Sequence, residues 1–449
     1  MTELLLRPLD RRTHSEIGAG EWPAQPLRPL ARGKRVPSRP ASAFLPEGDA
    51  DPEAARRCRR ALDDLLAHRG HPAEAIDGIL ADHPESIAAH CLRLAAIVRD
   101  DNRAAEAALA ASIAAITVAG SAADEHAHRH AAAAALWLEG DLPALEGYAA
   151  IVAERPRDIV ALAVAHALDF RLGNRSMLRD RIAAVLGHWD ESVPGYPAIL
   201  AMCAFGLEEN GAYHDAERLA RRALALEPGF APAIHVLAHV MEMEGRPREG
   251  LDLLAAHESA WADGNGFSVH LAWHRALFHL QLNDEAAALA VYDAQIAGSS
   301  LPYLSVLADA SALLWRLTLR NVDSGARWQR LADHWEKARL SDARPFFRVH
   351  AMMAFAAAAR RDAATRLLDS LPPVDISGET SALPEQALAL PVCKALLAFA
   401  AQDYAGCLAW LERVNHIAHR CGGSLAQCDV SRLTFVEATR RAARARWAA

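Results

Sequence analysis

Apolar residues recur every three to four positions from Pro52 onward, and the pattern continues with few breaks through the rest of the chain. Such spacing is typical of amphipathic helices. Short turns rich in Gly, Asn and Asp interrupt it at successive spacings of 33, 38, 34 and 38 residues. These turns are centred on Gly140, Gly173, Gly211, Gly245 and Asn283. A period of about 34 to 40 residues with two helices per unit is typical of tetratricopeptide-like (TPR-like) repeats.

The pattern therefore predicts an all-α fold, a TPR-like α-α superhelix built from antiparallel helix pairs. One repeat domain is predicted over residues 51–449, because no sharp change in composition divides this region. The unit at residues 196–228 is closest to the repeat consensus, with Tyr213 and Ala216 in its second helix and Pro228 at its end. Further helices are predicted at residues 53–68, 72–81, 86–99, 102–118, 302–319, 325–338, 344–360, 362–370, 386–401 and 403–420, with a last helix that begins near residue 423.

Residues 1–50 have a different composition from the rest of the chain. They contain seven prolines and seven arginines and show no helical period. This composition predicts a flexible Pro/Arg-rich N-terminal arm. The chain as a whole carries a formal net charge of −8, so electrostatic binding to nucleic acid is not expected.

Two further features of the sequence bear on location. No stretch of 18 apolar residues without charges occurs, so no membrane span is expected, and the first residues lack the features of a secretory signal. The seven cysteines are scattered and include no Cys-x2-Cys pair. Both observations favour reduced thiols and a cytoplasmic location.

Two His-x3-His pairs are the most distinctive feature of the chain. His235 and His239 form the first pair, and His270 and His274 form the second, 35 residues later. A spacing of four residues places both imidazoles of a pair on one face of a helix. Glu242 follows His235 by seven residues and joins the same face. This combination of imidazoles and a carboxylate predicts a functional site.

Other polar residues extend this site over successive repeats. In a two-helix repeat the first helices line the concave surface, and histidines occur in predicted first helices at intervals of 36, 35 and 105 residues. A single such histidine is more often a hydrogen-bonded structural residue than a ligand. The predicted groove residues are His130, His166, Asp169, His235, His239, Glu242, His270, Trp273, His274, Asp309, Arg316 and His350.

The chemistry of this groove has three alternatives. Paired imidazoles with a carboxylate suit Zn²⁺, Mn²⁺ or Fe²⁺, and the residues that could hold such a metal are His235, His239, His270 and His274. The His-Glu-x-x-His motif is missing, however, because residue 236 is Val. No metal is therefore assigned and no cofactor is expected. There are two other interpretations. The groove is either a metal-free acid–base site or a site where His and Arg side chains hold an organic anion.

Several short motifs follow one another in a specific order along the chain: His235-x3-His239-x2-Glu242, His270-x2-Trp273-His274, Asp309 with Arg316, His350, and Gln427-x-Asp429. Their order resembles that of the tetratricopeptide repeat protein 38 family over nearly all of the chain after residue 55. Two positions depart from the family pattern: Leu271, where relatives tend to have Asn, and Cys428, where the expected residue is Arg.

The resemblance implies an all-helical repeat protein with a poorly defined biochemical role. It also adds Gln427 and Asp429 to the predicted groove residues. The first functional hypothesis is a binding module that holds a peptide segment or a small polar ligand in the groove. The second is an enzyme of hydrolase or lyase type. Its candidate catalytic residues are His235, His239, Glu242, His270 and His274. The third is a scaffold in which the histidines only stabilise packing. Oligomeric state is not predicted.

Overall fold

The computed structural model describes residues 51–120, 125–299, 303–341, 343–376 and 385–448. These residues form α-helices with short 3₁₀ and π segments, and they contain no β-strand. The predicted all-α fold is therefore confirmed, whereas the arm predicted for residues 1–50 lies outside the described residues. Within those residues, no helix combines the length and the apolar composition needed to cross a bilayer.

The chain forms two compact units. The first, here called the N-terminal unit, comprises residues 51–240 and His257–Asn265. Its helices are α1 (Pro52–Ala67), α2 (Pro72–Asp82), α3 (Ile87–Arg99), α4 (Glu106–Ala119), α5 (Glu125–Ala135), α6 (Asp141–Glu154), α7 (Ile159–Arg171), α8 (Arg175–Val185), α9 (Tyr196–Glu208), α10 (Tyr213–Leu226), α11 (Ala231–Met243) as far as Val240, and α13 (Glu258–Trp261).

Side-chain caps explain where several of these helices begin. The hydroxyl of Ser86 accepts a hydrogen bond from the Ala89 amide at the start of α3, and the Asp158 carboxylate accepts one from Ala161 at the start of α7. Such caps satisfy amide groups that have no partner inside the helix. At the other end of α3, the Arg171 guanidinium donates to the Val98 and Arg99 carbonyls at 2.7 and 2.8 Å. Arg171 thereby fixes α7 against α3.

The second unit, here called the C-terminal unit, comprises Met241–Ala256 and residues 266–448. Its helices are the end of α11, α12 (Pro247–Ala256), α14 (Gly266–Gln281), α15 (Glu285–Val291), α16 (Leu304–Leu319), α17 (Arg327–Lys337), α18 (Pro345–Ala357), α19 (Arg361–Asp369), α20 (Glu385–Ala400), α21 (Tyr404–Val414) and α22 (Leu425–Ala448).

In the C-terminal unit, α14, α16, α18 and α20 pack against one another in that order, and α22 returns to pack against α16. The Trp315 indole of α16 donates to the Thr434 hydroxyl of α22 at 2.9 Å. Trp273, Trp315 and Trp335 of this unit are fully buried. The 24-residue helix α22 packs against α16, α20 and α21.

The predicted helices agree with the observed ones to within about four residues at each end, with one exception. Residues 403–420 were predicted as one helix, but α21 ends at Val414 and a separate 3₁₀ turn, Ala418–Cys421, follows. The seven cysteines form no disulfide, and six of them are buried. The TPR-like superhelix and the single repeat domain over residues 51–449 stay predictions.

Candidate functional site

The predicted groove residues are divided between the two units. His130, His166, Asp169, His235 and His239 lie in the N-terminal unit. The C-terminal unit contains the other nine: Glu242, His270, Trp273, His274, Asp309, Arg316, His350, Gln427 and Asp429.

Asp309 joins three helices of the C-terminal unit through its carboxylate. His270 Nδ1 lies 2.8 Å from Asp309 Oδ2, and Gln427 Nε2 donates to Asp309 Oδ1 at 3.0 Å. A reciprocal cap holds Gln427. The backbone amide of Ser424 donates to Gln427 Oε1, and the backbone amide of Gln427 donates to Ser424 Oγ. Three residues from α14, α16 and α22, all predicted as groove residues, are therefore brought together.

A second carboxylate orients His274. His274 Nδ1 lies 2.9 Å from Glu242 Oε2, and both side chains are buried. Gln281 supports this arrangement because its amide donates to the Glu242 carbonyl at 3.1 Å. When Nδ1–H donates to a carboxylate, the lone pair of the imidazole lies on Nε2, which can then act as a base or a ligand. His270, held by Asp309, has the same arrangement.

Arg316 and Asp429 form an ion pair beside Trp273. The Arg316 guanidinium lies 5.3 Å from the centre of the Trp273 ring, and it donates to the carbonyls of Ala312 and Ala426 at 3.0 and 2.6 Å. These contacts bind the start of α22 to α16. Trp273 also stacks on His270, with ring centres 5.4 Å apart and an interplanar angle of 14°. The indole thus orients both a cation and an imidazole.

A cavity of about 590 Å³ lies in the C-terminal unit. The end of α11 and helices α12, α14, α16 and α22 contribute to its lining, and it is here called the C-terminal cavity. Its apolar lining includes Leu277, Leu280, Leu319, Leu433 and Val436, and its polar lining includes Glu242, Arg316, Asp429 and Arg432. Three of the predicted groove residues therefore line one cavity.

Arg432 is a charged residue of the cavity lining that was not predicted from the sequence. It is partly buried, and it makes no hydrogen bond or ion pair with any described residue. Two other arginines of the lining are paired, since Arg320 contacts Glu285 at 3.0 Å and Arg316 contacts Asp429. An anionic group that enters the cavity would find Arg432 available. Its position three residues after Asp429 in a predicted helix was the one signal in the sequence.

His350 lies away from the C-terminal cavity and has a structural environment. Its Nδ1 donates to the Phe346 carbonyl at 2.7 Å within α18. Burial is the largest effect on this imidazole and lowers its pKa to about 4. His350 is therefore neutral near pH 7. It does not line the C-terminal cavity, but it lines a smaller pocket together with Gln427.

In the N-terminal unit, three predicted histidines surround Phe205. Its ring centre lies 6.1 Å from that of His166, 5.7 Å from that of His235 and 5.6 Å from that of His239. His235 and His239 approach each other directly, with their Nε2 atoms 3.0 Å apart. Burial, with the positive charges of Arg99 and Arg181, lowers the pKa of His166 to about 3, so this imidazole is neutral near pH 7.

Glu208 is a buried carboxyl group that the sequence analysis did not select. It is completely buried on α9, and its Oε2 lies 3.4 Å from His239 Nδ1. Burial raises the pKa of Glu208 to about 8. Glu209 beside it contacts Arg175 at 3.3 Å. The signal in the sequence was a pair of acidic residues at the end of a strongly apolar helical stretch.

We expect the Glu208→Gln variant to be more stable than the parent at pH 8 and to have similar stability at pH 4. An unfolded chain releases this proton near pH 4.5, whereas the folded chain holds it to about pH 8. Between these values the folded state binds one proton more, so the free energy of unfolding of the parent falls as pH rises. Glutamine does not ionise, so the free energy of unfolding of Glu208→Gln does not fall with pH for this reason.

Urea unfolding between pH 4 and pH 9 measures the effect. Glu139→Gln is the matched control, because Glu139 is an exposed residue of the same unit. A difference between parent and Glu208→Gln that stays constant over this range would contradict the prediction.

Asp169, predicted as a groove residue, pairs with Arg181. Its carboxylate accepts two hydrogen bonds from Arg181, at 2.6 and 3.1 Å. Asp169 is fully buried, and burial raises its pKa despite the neighbouring guanidinium. This pair joins α7 to α8 and explains Asp169 by packing.

His130 belongs to a separate buried cluster with two residues that were not predicted, His126 and Asp158. Both imidazoles approach one oxygen of Asp158 through their Nε2 atoms, at 2.7 Å for His126 and 2.9 Å for His130. Burial opposes ionisation of Asp158, but the two histidines outweigh it and hold the pKa of its carboxyl well below the usual range. The donor atoms of these three residues could hold a metal ion.

The described residues are all-helical, and consecutive helices pack against one another in pairs. In a comparison with known protein families, no family model matches the chain.

Proposed function

We propose that this protein binds a peptide segment or a small polar ligand and that the C-terminal cavity is its binding site. The observation that carries the proposal is a cavity of about 590 Å³ lined by leucines and by the partly buried Arg432, which pairs with no residue in the described part of the chain. Cavities of about 300 to 1,000 Å³ with few polar groups in an apolar lining are typical of small-molecule sites.

The lining indicates the chemistry of the ligand. Arg432 favours a carboxylate or a similar anion, because a guanidinium donates two parallel hydrogen bonds to such a group. Leu280, Leu319 and Leu433 favour an apolar body of the ligand. A short peptide with a free carboxylate and an apolar side chain combines both features.

The proposal extends to the architecture and the location of the protein. The succession α14, α16, α18 and α20 supports a TPR-like superhelix, in which first helices stack along the array. The order of the motifs supports membership of the tetratricopeptide repeat protein 38 family. Seven cysteines without a disulfide support a cytoplasmic location.

We expect Arg432→Ala to weaken binding of an anionic probe by about tenfold or more, because a hydrogen bond to a charged group contributes about 1.5–3 kcal/mol. The probe is 8-anilinonaphthalene-1-sulfonate, which carries an anion on an apolar body, and its fluorescence is titrated with the full chain. Short peptides that end in leucine with a free carboxylate then compete for the site.

Arg444→Ala is the matched control. It removes the same charge from the same helix, but Arg444 is exposed and lies outside the cavity lining. Equal affinity of the parent and the Arg432→Ala protein for the probe and the peptides would rule out this site.

A second function, an enzyme of hydrolase or lyase type, is favoured by one observation. His274 is oriented by Glu242, and Glu242 lines the cavity. An imidazole held by a carboxylate is the arrangement of a general base. Ester or amide turnover that Glu242→Gln abolishes while probe binding persists would favour the enzyme. Turnover that is absent from the parent would favour the binding module.

A further inference from the structure

Three buried side chains with metal-binding chemistry meet in the N-terminal unit, and the proposed ligand site uses none of them. They are His126, His130 and Asp158, which are 3, 2 and 1 % exposed. Their donor atoms all lie within 4.8 Å of one another. This group is here called the Asp158 cluster.

The fold holds each member of the Asp158 cluster in place. His126 and His130 are four residues apart on α5, so their imidazoles project from one face in successive turns. Asp158 caps α7, and its Oδ1 accepts the Ala161 amide at 2.8 Å. This bond fixes the carboxylate, and the other oxygen, Oδ2, is the atom that both imidazoles approach. Two helices thus present three donor atoms to one point.

We propose that the Asp158 cluster binds a divalent transition-metal ion of the Zn²⁺ type and thereby joins α5 to the start of α7. Two neutral imidazoles and one carboxylate are the donor set that Zn²⁺ and Co²⁺ accept readily, whereas Ca²⁺ and Mg²⁺ prefer oxygen ligands alone. Ligands about 2.0–2.1 Å from a tetrahedral ion lie about 3.3 Å apart. The two imidazole Nε2 atoms lie 2.7 and 2.9 Å from Asp158 Oδ2. These distances need to increase by only about half an ångström to admit the ion.

The surroundings of the cluster provide a second observation. Tyr148 is fully buried, its ring centre lies 5.9 Å from that of His130, and its hydroxyl has no hydrogen-bond partner among the described residues. Buried hydroxyl groups without a partner are rare in proteins. Structural sites for this type of ion have four ligands, and the cluster supplies three. A water molecule as the fourth ligand would give the Tyr148 hydroxyl a partner.

Metal titration of the full chain tests the proposal. The purified protein is first treated with a chelator and then titrated with Zn²⁺ by calorimetry and with Co²⁺ by visible absorption. We expect the parent to bind Zn²⁺ at this cluster and Co²⁺ with the absorption bands of a tetrahedral nitrogen and oxygen site.

Asp158→Asn is the decisive variant, because asparagine also caps a helix well but lacks the negative charge. We expect it to lose one equivalent of Zn²⁺ or to bind that equivalent at least tenfold more weakly. His130→Gln is a second variant with the same expected loss. It keeps the test valid if circular dichroism shows that Asp158→Asn is misfolded. His128→Gln, on the same helix but outside the cluster, should bind like the parent.

Two results would overturn the proposal. One is a parent protein that takes up no Zn²⁺ after chelator treatment. The other is a folded Asp158→Asn or His130→Gln protein with the parent's stoichiometry and affinity, because any ion would then be bound elsewhere.

Discussion

Replacing Gly206 with alanine is expected to lower the free energy of unfolding of the N-terminal unit by about 3 kcal/mol. Gly206 lies in α9, where a Cβ atom would stand 2.6 Å from Arg179 Cα and from the Leu178 carbonyl oxygen of α8. Both are backbone atoms, so the contact can be relieved only by moving α8 and α9 apart. On an exposed helix the same substitution would stabilise the protein by about 1 kcal/mol. A loss of stability in Gly206→Ala, instead of a gain, would therefore show that α8 and α9 approach each other closely.

Urea unfolding at neutral pH measures this loss, and Gly187→Ala is the matched control. Gly187 belongs to the same unit, and a Cβ atom at this position would meet no atom within 4 Å. We expect its stability to change by about 0.5 kcal/mol or less. If Gly206→Ala were as stable as Gly187→Ala, α8 and α9 would not pack as closely as described.

Removing the Arg316 side chain is expected to cost the C-terminal unit about 3–5 kcal/mol and to loosen α22. The Arg316 side chain is 6 % exposed. Its guanidinium forms an ion pair with Asp429 and donates hydrogen bonds to the carbonyls of Ala426 and Ala312. In Arg316→Ala, Asp429 loses its counter-ion and a buried carbonyl loses its donor. Both losses act on the first turn of α22, so this helix should be affected most.

Hydrogen exchange of the amides of α22, together with urea unfolding, measures this effect. Arg330→Ala is the control, because Arg330 is an exposed residue of the same unit without an ion pair among the described residues. Faster exchange across the first half of α22 is the expected result. Unchanged exchange in α22, with a stability loss no larger than that of the control, would show that Arg316 does not anchor the helix.

Much of the local structure could be predicted from the sequence, because helix ends depend on nearby residues. The prediction of a helix at residues 72–81 matches α2, and the turns at Gly140 and Gly173 separate α5 from α6 and α7 from α8. The return of α22 onto α16 could not be predicted, because it depends on which distant surfaces fit together. The Trp315–Thr434 hydrogen bond joins residues 119 positions apart, and no local pattern encodes that pairing.

Only part of the site could be predicted, because the partners of its residues also depend on which helices pack together. Helical spacing placed His270 and His274 on one face, but it could not show that Asp309 and Glu242 are their respective partners. His130 was assigned to a groove from its repeat interval, whereas its partner Asp158 appeared in the sequence only as the residue before a helix. Periodicity identifies the face on which a residue lies, and only the packing of helices decides what that face meets.

The contacts that hold α22 against α16 join residues far apart in the sequence. Gln427 meets Asp309 across 118 residues, and Arg441 meets the Thr318 carbonyl across 123, whereas the helix pairs are joined by short turns. Closing a long loop costs chain entropy that the final contacts must repay, and such contacts slow folding. The helix pairs can therefore form early from local contacts. We therefore expect the cavity wall to form after the helix pairs, so that Leu433 and Val436 meet the rest of the lining only when α22 packs against α16.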